Sequence, residues 1–227
     1  MNRIDKIDEL AKNGISVIDN FIKQDECNKI LFRINNNAWK RSTIAFLDEN
    51  NTIRSNKSGI RTSNTLFECD FCDSLTSIVL KVQDRLSNKF SIDPARLESW
   101  QITKYSYRQG FGPHLDGGLW RQQPGGEREN TLLIYLMSPL DGGNTYFRAL
   151  NLSLRPTQGR LVIWNNLLPN GKCNHAMIHS GEPVTKGMKI ILHTWLRQFP
   201  TNINRRNHEI ESYQSPGSSS KKPRKSN

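Results

Sequence analysis

The run His179-Ser-Gly-Glu-Pro-Val-Thr-Lys-Gly-Met-Lys189-Ile-Ile-Leu-His-Thr-Trp195 carries the architecture of this chain in its pattern. Gly181, Pro183 and Gly187 are turn residues, and a short apolar run follows them, which reads as a strand. The same pattern recurs upstream. Trp100-Gln-Ile-Thr-Lys-Tyr-Ser-Tyr107 alternates, and Thr131-Leu-Leu-Ile-Tyr-Leu-Met137 is apolar. Gly142-Gly143 punctuates before Asn144-Thr-Tyr-Phe147, and Gly159-Arg-Leu-Val-Ile-Trp164 follows. Short strands at a spacing of ~8–12 residues argue for a sandwich or barrel. Trp100, Trp164 and Trp195 sit among these strands and read as core.

Before Leu97 the pattern is mixed. Ile4 to Ala11 has helical spacing, and Gly14 to Asp19 alternates like a strand. Asp25 to Ile34 resumes a helical period, starting at Lys23, Gln24 or Asp25. Asp48 to Gly59 is polar and reads as a loop. Ser74 to Lys89 places Leu75, Ile78, Val79, Val82 and Leu86 on one side of an amphipathic helix. The chain thus reads as one domain over residues 1–200, helical scaffolding first, with a β-rich half over about 97–198. Residues 201–227 form a basic tail whose end has nothing apolar to bury, so it is expected to be disordered.

The 227 residues are 35% hydrophobic, enough for a single core. No run approaches the ~18 apolar residues of a membrane span. The N-terminus lacks the apolar segment of a secretory signal, so a cytoplasmic location without membrane association is expected. Four scattered cysteines then read as free thiols, and Cys69-Asp-Phe-Cys72 lacks the second pair that a structural zinc would need. The net charge is +11, of which the tail holds six Lys/Arg against Glu209 and Glu211, leaving +7 in the body. Such a field favours anionic partners: keto acids, acidic peptides or nucleic acid.

His114-Leu-Asp116 is the candidate for chemistry. Two side chains one residue apart on a strand share a face, so both can reach one ion. With one remote His they make the two-histidine, one-carboxylate set that leaves positions open on Fe(II). His175, His179 and His193 are candidates for the third ligand, with His179 favoured at the entry to the Lys189 strand. Zinc can also use such donors. His193 falls on the same strand face as Lys189 and reads as a satisfied core histidine.

Residues 97–198 resemble the catalytic domain of prolyl 4-hydroxylase-like Fe(II)/2-oxoglutarate-dependent dioxygenases. The resemblance rests on Tyr105, His114, Asp116, Arg128, Thr131, Tyr135-Leu136, Gly142-Gly143-Asn144-Thr145-Tyr146-Phe147, Gly159, Trp164, His179, Pro183-Val184, Gly187, Lys189 and Trp195, all in the family's register. Val17 to Phe21, Glu26-Cys27 and Arg61-Thr-Ser63 extend it more loosely. Departures are Arg108 and Asn144, where the family often has Gly and Glu, and Gly117-Gly118 and Arg148, where it has bulky residues and Pro. These five positions are expected toward the substrate.

The resemblance implies a mixed, β-rich fold, a double-stranded β-helix (jelly roll) with N-terminal helices on one face. It implies that His114, Asp116 and His179 bind Fe(II), that Lys189 pairs with the distal carboxylate of 2-oxoglutarate, that Tyr135 can hydrogen-bond the same carboxylate, and that Tyr105 lines the co-substrate pocket. The implied reaction is O2-dependent hydroxylation of a C–H on a peptidyl or free amino-acid substrate, proline by default. Succinate and CO2 are the co-products, with ascorbate an optional accessory. Arg61, Trp120 and Arg148 are the candidate substrate contacts. The alternatives are a nucleic-acid demethylase of the same superfamily and a non-catalytic ligand-binding jelly roll.

Overall fold

The computed structural model describes residues 14–201. The helix expected over Ile4 to Ala11 lies outside them, as does the tail beyond Thr201, whose backbone N–H donates to Ala95 O. Among the described residues, fifteen strands and two α-helices follow in order: β1 (Ile15–Ile18), α1 (Gln24–Phe32), β2 (Lys40–Arg41), β3 (Ile44–Leu47), β4 (Ile53–Asn56), β5 (Asn64–Phe67), α2 (Asp73–Phe90), β6 (Gln101–Tyr105), β7 (Phe111–His114), β8 (Arg128–Met137), β9 (Asp141–Gly142), β10 (Thr145–Phe147), β11 (Leu152–Leu154), β12 (Leu161–Asn165), β13 (His179–Gly181), β14 (Val184–Lys186) and β15 (Lys189–Arg197), with short 3-10 turns between them.

Two antiparallel sheets face each other. The larger has the order β1-β12-β8-β15-β6-β5-β2, the smaller β11-β10-β13-β7. This is the jelly roll that the resemblance implied, within the sandwich-or-barrel class that the strand pattern argued for. The periodicity explains its two cores. Along β8, Leu132, Ile134 and Leu136 pack outward under the helices, whereas Leu133 and Tyr135 point between the sheets. Both faces of β8 and β15 are covered, which is why they read as continuous apolar runs rather than alternations.

The outer core is closed by the helices. On α2, Leu75, Val79, Val82 and Leu86 recur at helical spacing and are all buried. On α1, Cys27 and Ile30 are buried in the same cluster. Burying these side chains is worth roughly 1.5–3 kcal/mol for each large one, and this ties the helices to one face. The other face, between the sheets, is left for the site.

The expected loop over Asp48 to Gly59 is a correction. The structure pairs β3 with β4 as a hairpin, with Ile44 opposite Asn56 and Leu47 opposite Ile53. Asp48 builds its turn by accepting from the backbone N–H groups of Asn50 and Thr52, and it pairs with Arg54 at 2.9 Å. Ile53-Arg-Ser-Asn56 has no apolar alternation, so the pairing was invisible to a periodicity argument. The hairpin leans on the mouth of the cavity, with Ile44 and Ile53 on its wall.

Candidate metal centre and its cavity

His114 ends β7 and His179 begins β13, and the two are direct partners in the antiparallel register of the smaller sheet. That pairing places their rings 4.2 Å apart, centroid to centroid. Asp116, two residues past His114, brings its carboxylate between them. Its Oδ1 lies 3.6 Å from His114 Nε2 and its Oδ2 3.8 Å from His179 Nε2. One donor atom from each of the three residues falls within 4.8 Å of the others. Among the described residues no other group of three such side chains meets this way. His175, the competing histidine, is exposed on a short 3-10 turn (His175–Met177).

Hydrogen bonds orient all three donors. His114 Nδ1 is 2.9 Å from Gly112 O, and His179 Nδ1 is 2.9 Å from Met177 O. A carbonyl can only accept, so each Nδ1 carries the hydrogen and each Nε2 lone pair is left free. Burial, with the imidazole of His179 beside it, pushes His114 well below the usual histidine range. It therefore stays neutral and able to ligate. Burial would raise Asp116, but His179, His114 and a hydrogen bond from Thr131 outweigh it and hold the carboxylate ionised. Thr131 Oγ1 donates to Asp116 Oδ2 at 2.6 Å, which leaves Oδ1 available. Two imidazole nitrogens and one carboxylate, aimed at one point, fit Fe(II).

The loop carrying Asp116 is held by a buried charge network. Arg128 donates to Glu98 through Nε and Nη2, both at 2.7 Å, and Arg197 reaches the same carboxylate at 3.0 Å. Arg128 also lies between the rings of Trp120 and Trp195, at 4.0 and 3.6 Å from their centroids. Trp120 Nε1 donates to the backbone carbonyl of Asp116 at 3.2 Å. Arg128 is thus neither a surface charge nor a substrate clamp.

The centre opens on a cavity of about 580 Å³ between the sheets. Lys189 sits in its wall, 2% exposed, and donates to Gly143 O at 2.7 Å above the ring of Tyr105. Among the described residues no carboxylate forms an ion pair with it. Burial pulls its pKa down to about 7. Glu182, beyond ion-pair distance, only partly offsets that burial, and a buried cation without an ion-pair partner, facing a cavity, is the electrostatic setting for an anionic ligand. Tyr105 lines the cavity, whereas Tyr135 is fully buried and reaches it through a 2.7 Å hydrogen bond to Thr145, which is on the wall.

The other expected positions divide. Arg61 and Trp120 line the cavity. Arg148 does not, which corrects that expectation: it opens the 3-10 turn Arg148–Leu150 just past β10 and is exposed. Gly117 is a second correction. It is buried within reach of Asn166 and the Arg128 carbonyl, so Leu119 and Trp120 of this loop reach the cavity instead. Arg108 adopts a left-handed φ of 61°, the conformation that glycine adopts without cost. His193 lines the cavity as well as being satisfied on one side. Thr131, Thr145 and Glu98 had no role from sequence, because each acts only on a partner far along the chain.

The family model for the 2OG-Fe(II) oxygenase superfamily matches residues 100–197. Prolyl 4-hydroxylase 1 of Arabidopsis thaliana is 26% identical over 203 residues, covering 83% of this chain and 70% of that protein. Among solved structures, the viral collagen prolyl hydroxylase of Paramecium Bursaria Chlorella virus-1, in complex with 2OG, superposes with a TM-score of 0.59 at 23% identity, covering 81% of this chain and 96% of that one. The prolyl hydroxylase of Trichoplax adhaerens, in complex with a hypoxia inducible factor peptide fragment, gives 0.57 at 18%, covering 86% and 90%. These two share the fold. Matched model, curated relative and donor set agree: residues 100–197 carry a 2OG-Fe(II) oxygenase domain, similar to prolyl 4-hydroxylases, with the donors for Fe(II) and with 2-oxoglutarate and O2 as its co-substrates.

Proposed function

We propose that this enzyme hydroxylates a prolyl C–H within a peptide, with His114, Asp116 and His179 as its Fe(II) ligands. The observation that carries the reading is the convergence of those donors, within 4.8 Å, on a cavity whose wall holds the buried amine of Lys189, with which no described carboxylate forms an ion pair. The peptidyl substrate rests on the likeness to the Arabidopsis prolyl 4-hydroxylase and on a cavity large enough for a side chain beside the co-substrate. Bound iron, with 2-oxoglutarate and O2, supplies the oxidation that converts C–H to C–OH, giving succinate and CO2.

The chain's own residues bind and orient. The carbonyls of Gly112 and Met177 fix both imidazoles in the ligating tautomer. Thr131 occupies one carboxylate oxygen of Asp116 and so directs the other. Lys189 meets the far carboxylate of 2-oxoglutarate, a charge-assisted contact worth roughly 1.5–3 kcal/mol. Tyr105 and Thr145 line that end. Arg61, held by Thr43 O and Ser63 and lying 4.9 Å from the Phe111 ring, and Trp120 stand on the wall left for the peptide.

The test is 2-oxoglutarate turnover against peptides and free amino acids, read by mass spectrometry for a gain of one oxygen. Prolyl peptides are expected to give stoichiometric succinate and a +O product. Turnover surviving in Asp116→Ala or His179→Ala sinks the ligand assignment, and oxygen gained only on free amino acids or non-prolyl residues sinks the substrate.

A further inference from the structure

His193 is 5% exposed and faces the cavity four residues beyond Lys189 on β15. Its Nε2 meets Thr103 Oγ1 at 3.0 Å. No described residue hydrogen-bonds its Nδ1, and that atom is not among the sealed-off buried polar atoms, so it is open to the cavity. Behind Thr103 runs a chain of buried hydroxyls. Thr103 meets Thr65 at 3.0 Å, Thr65 meets Ser42 at 2.8 Å, Ser63 donates to Ser42 at 2.8 Å, and Arg61 Nε donates to Ser63 at 3.3 Å.

The direction of this chain is set at its start. A guanidinium only donates. Ser63 accepts from it and passes its own hydrogen to Ser42. With every hydroxyl keeping one donated and one accepted bond, Ser42 donates to Thr65, Thr65 to Thr103, and Thr103 to His193 Nε2. Nε2 is therefore an acceptor, and the single hydrogen of the neutral ring lies on Nδ1. Burial holds this imidazole neutral, far below its usual range.

We propose that the Nδ1–H of His193, held in that tautomer by the hydroxyl chain from Arg61, binds an acceptor oxygen of the peptide substrate, a backbone carbonyl, beside the metal centre. The position distinguishes substrate from co-substrate. Four residues of strand are about 13 Å, so His193 lies well past the Lys189 end of the cavity, with Ile191 between them. A donor there is out of line with a keto acid stretched from Lys189. Arg61, Phe111 and Trp195 border the same region. This inference rests on the peptidyl reading above.

The test has two arms. In the zinc-substituted protein, which stays diamagnetic, 15N shifts of the His193 ring report which nitrogen carries the hydrogen. Nδ1–H is expected in the wild type, with mixed tautomers in Thr103→Val and recovery in Thr103→Ser. In the iron enzyme, the peptide KM is expected to rise about tenfold in His193→Leu and several-fold in Thr103→Val, with the 2-oxoglutarate KM moving less, the loss of one hydrogen bond to substrate. An Nε2–H tautomer in a wild type that hydroxylates peptides overturns the proposal and leaves the peptidyl reading standing, as do equal rises in both KM values. A wild type with Nδ1–H that turns over no peptide overturns the peptidyl reading and the peptide form of this proposal with it.

Discussion

Lys189→Met should lose the co-substrate and yet make the empty protein more stable. The lysine is 2% exposed, and burial lowers its pKa from an ordinary 10.5 to about 7. At 1.36 kcal/mol per pH unit, a buried ammonium there costs roughly 5 kcal/mol relative to water, and at pH 7 the fold still carries most of that cost. The bond to Gly143 O returns about 1 kcal/mol of it. Methionine keeps the chain length and the apolar stem without the charge. The net expectation is a gain of up to roughly 4 kcal/mol in the absence of 2-oxoglutarate, on the order of 8–16 °C in Tm at this chain length.

The pH dependence has a definite sign. The unfolded lysine holds its proton up to 10.5, the folded one only to about 7, so the wild type gains stability between pH 7 and 10.5. The advantage of Lys189→Met should shrink across that window. Binding runs the other way: 2-oxoglutarate needs the ammonium, so wild-type affinity should fall as pH rises above about 7. The variant should lose roughly 10- to 150-fold in 2-oxoglutarate affinity, the worth of one charge-assisted contact. Thermal melts at pH 6, 7 and 9, with and without 2-oxoglutarate and metal, read both effects. A variant that melts below the wild type at pH 7 without ligand would refute the argument, because the lysine would then be stabilising rather than stored for a ligand.

Three further outcomes follow from the same network of contacts. Thr131→Val removes the 2.6 Å bond that directs Asp116 and should weaken metal binding about 10- to 100-fold by titration, with little change in the melt of the metal-free protein. Glu98→Gln leaves Arg128 and Arg197 buried beside a neutral amide and should cost about 3–5 kcal/mol in denaturant unfolding; a loss under 1 kcal/mol would show that the network is solvated. Arg108→Gly relieves a left-handed backbone at φ 61° and should stabilise by ~0.5 kcal/mol, roughly 1–2 °C, after the extra chain entropy of glycine is deducted; a lower Tm would mean that the Arg108 side chain, packed over Tyr107, outweighs the backbone strain.

The strands and helices were legible because their signals are local. The apolar stripe of α2 and the runs of β8 and β15 repeat within a few residues, and burial on one or both faces follows from the period. The β3–β4 hairpin was not legible, since Ile53-Arg-Ser-Asn56 of β4 lacks an apolar alternation and the pairing is made by a turn and by packing over the cavity. Side of the sheet could be assigned inside strands and failed beyond their ends: Arg148 lies in a 3-10 turn past β10 and Gly117 past β7, where parity no longer holds.

The sequence by itself determined the donor types, the strand pattern and the Lys189 position, because each is written in residue identity and short spacing. Only the tertiary structure decided the rest. That His114 and His179 share a site is a matter of strand register across 65 residues, and the choice over His175 is one of burial. The Glu98 network and the hydroxyl chain from Arg61 to His193 join side chains from several strands at once. No local pattern encodes such contacts, because their energies exist only when the sheets have closed around them.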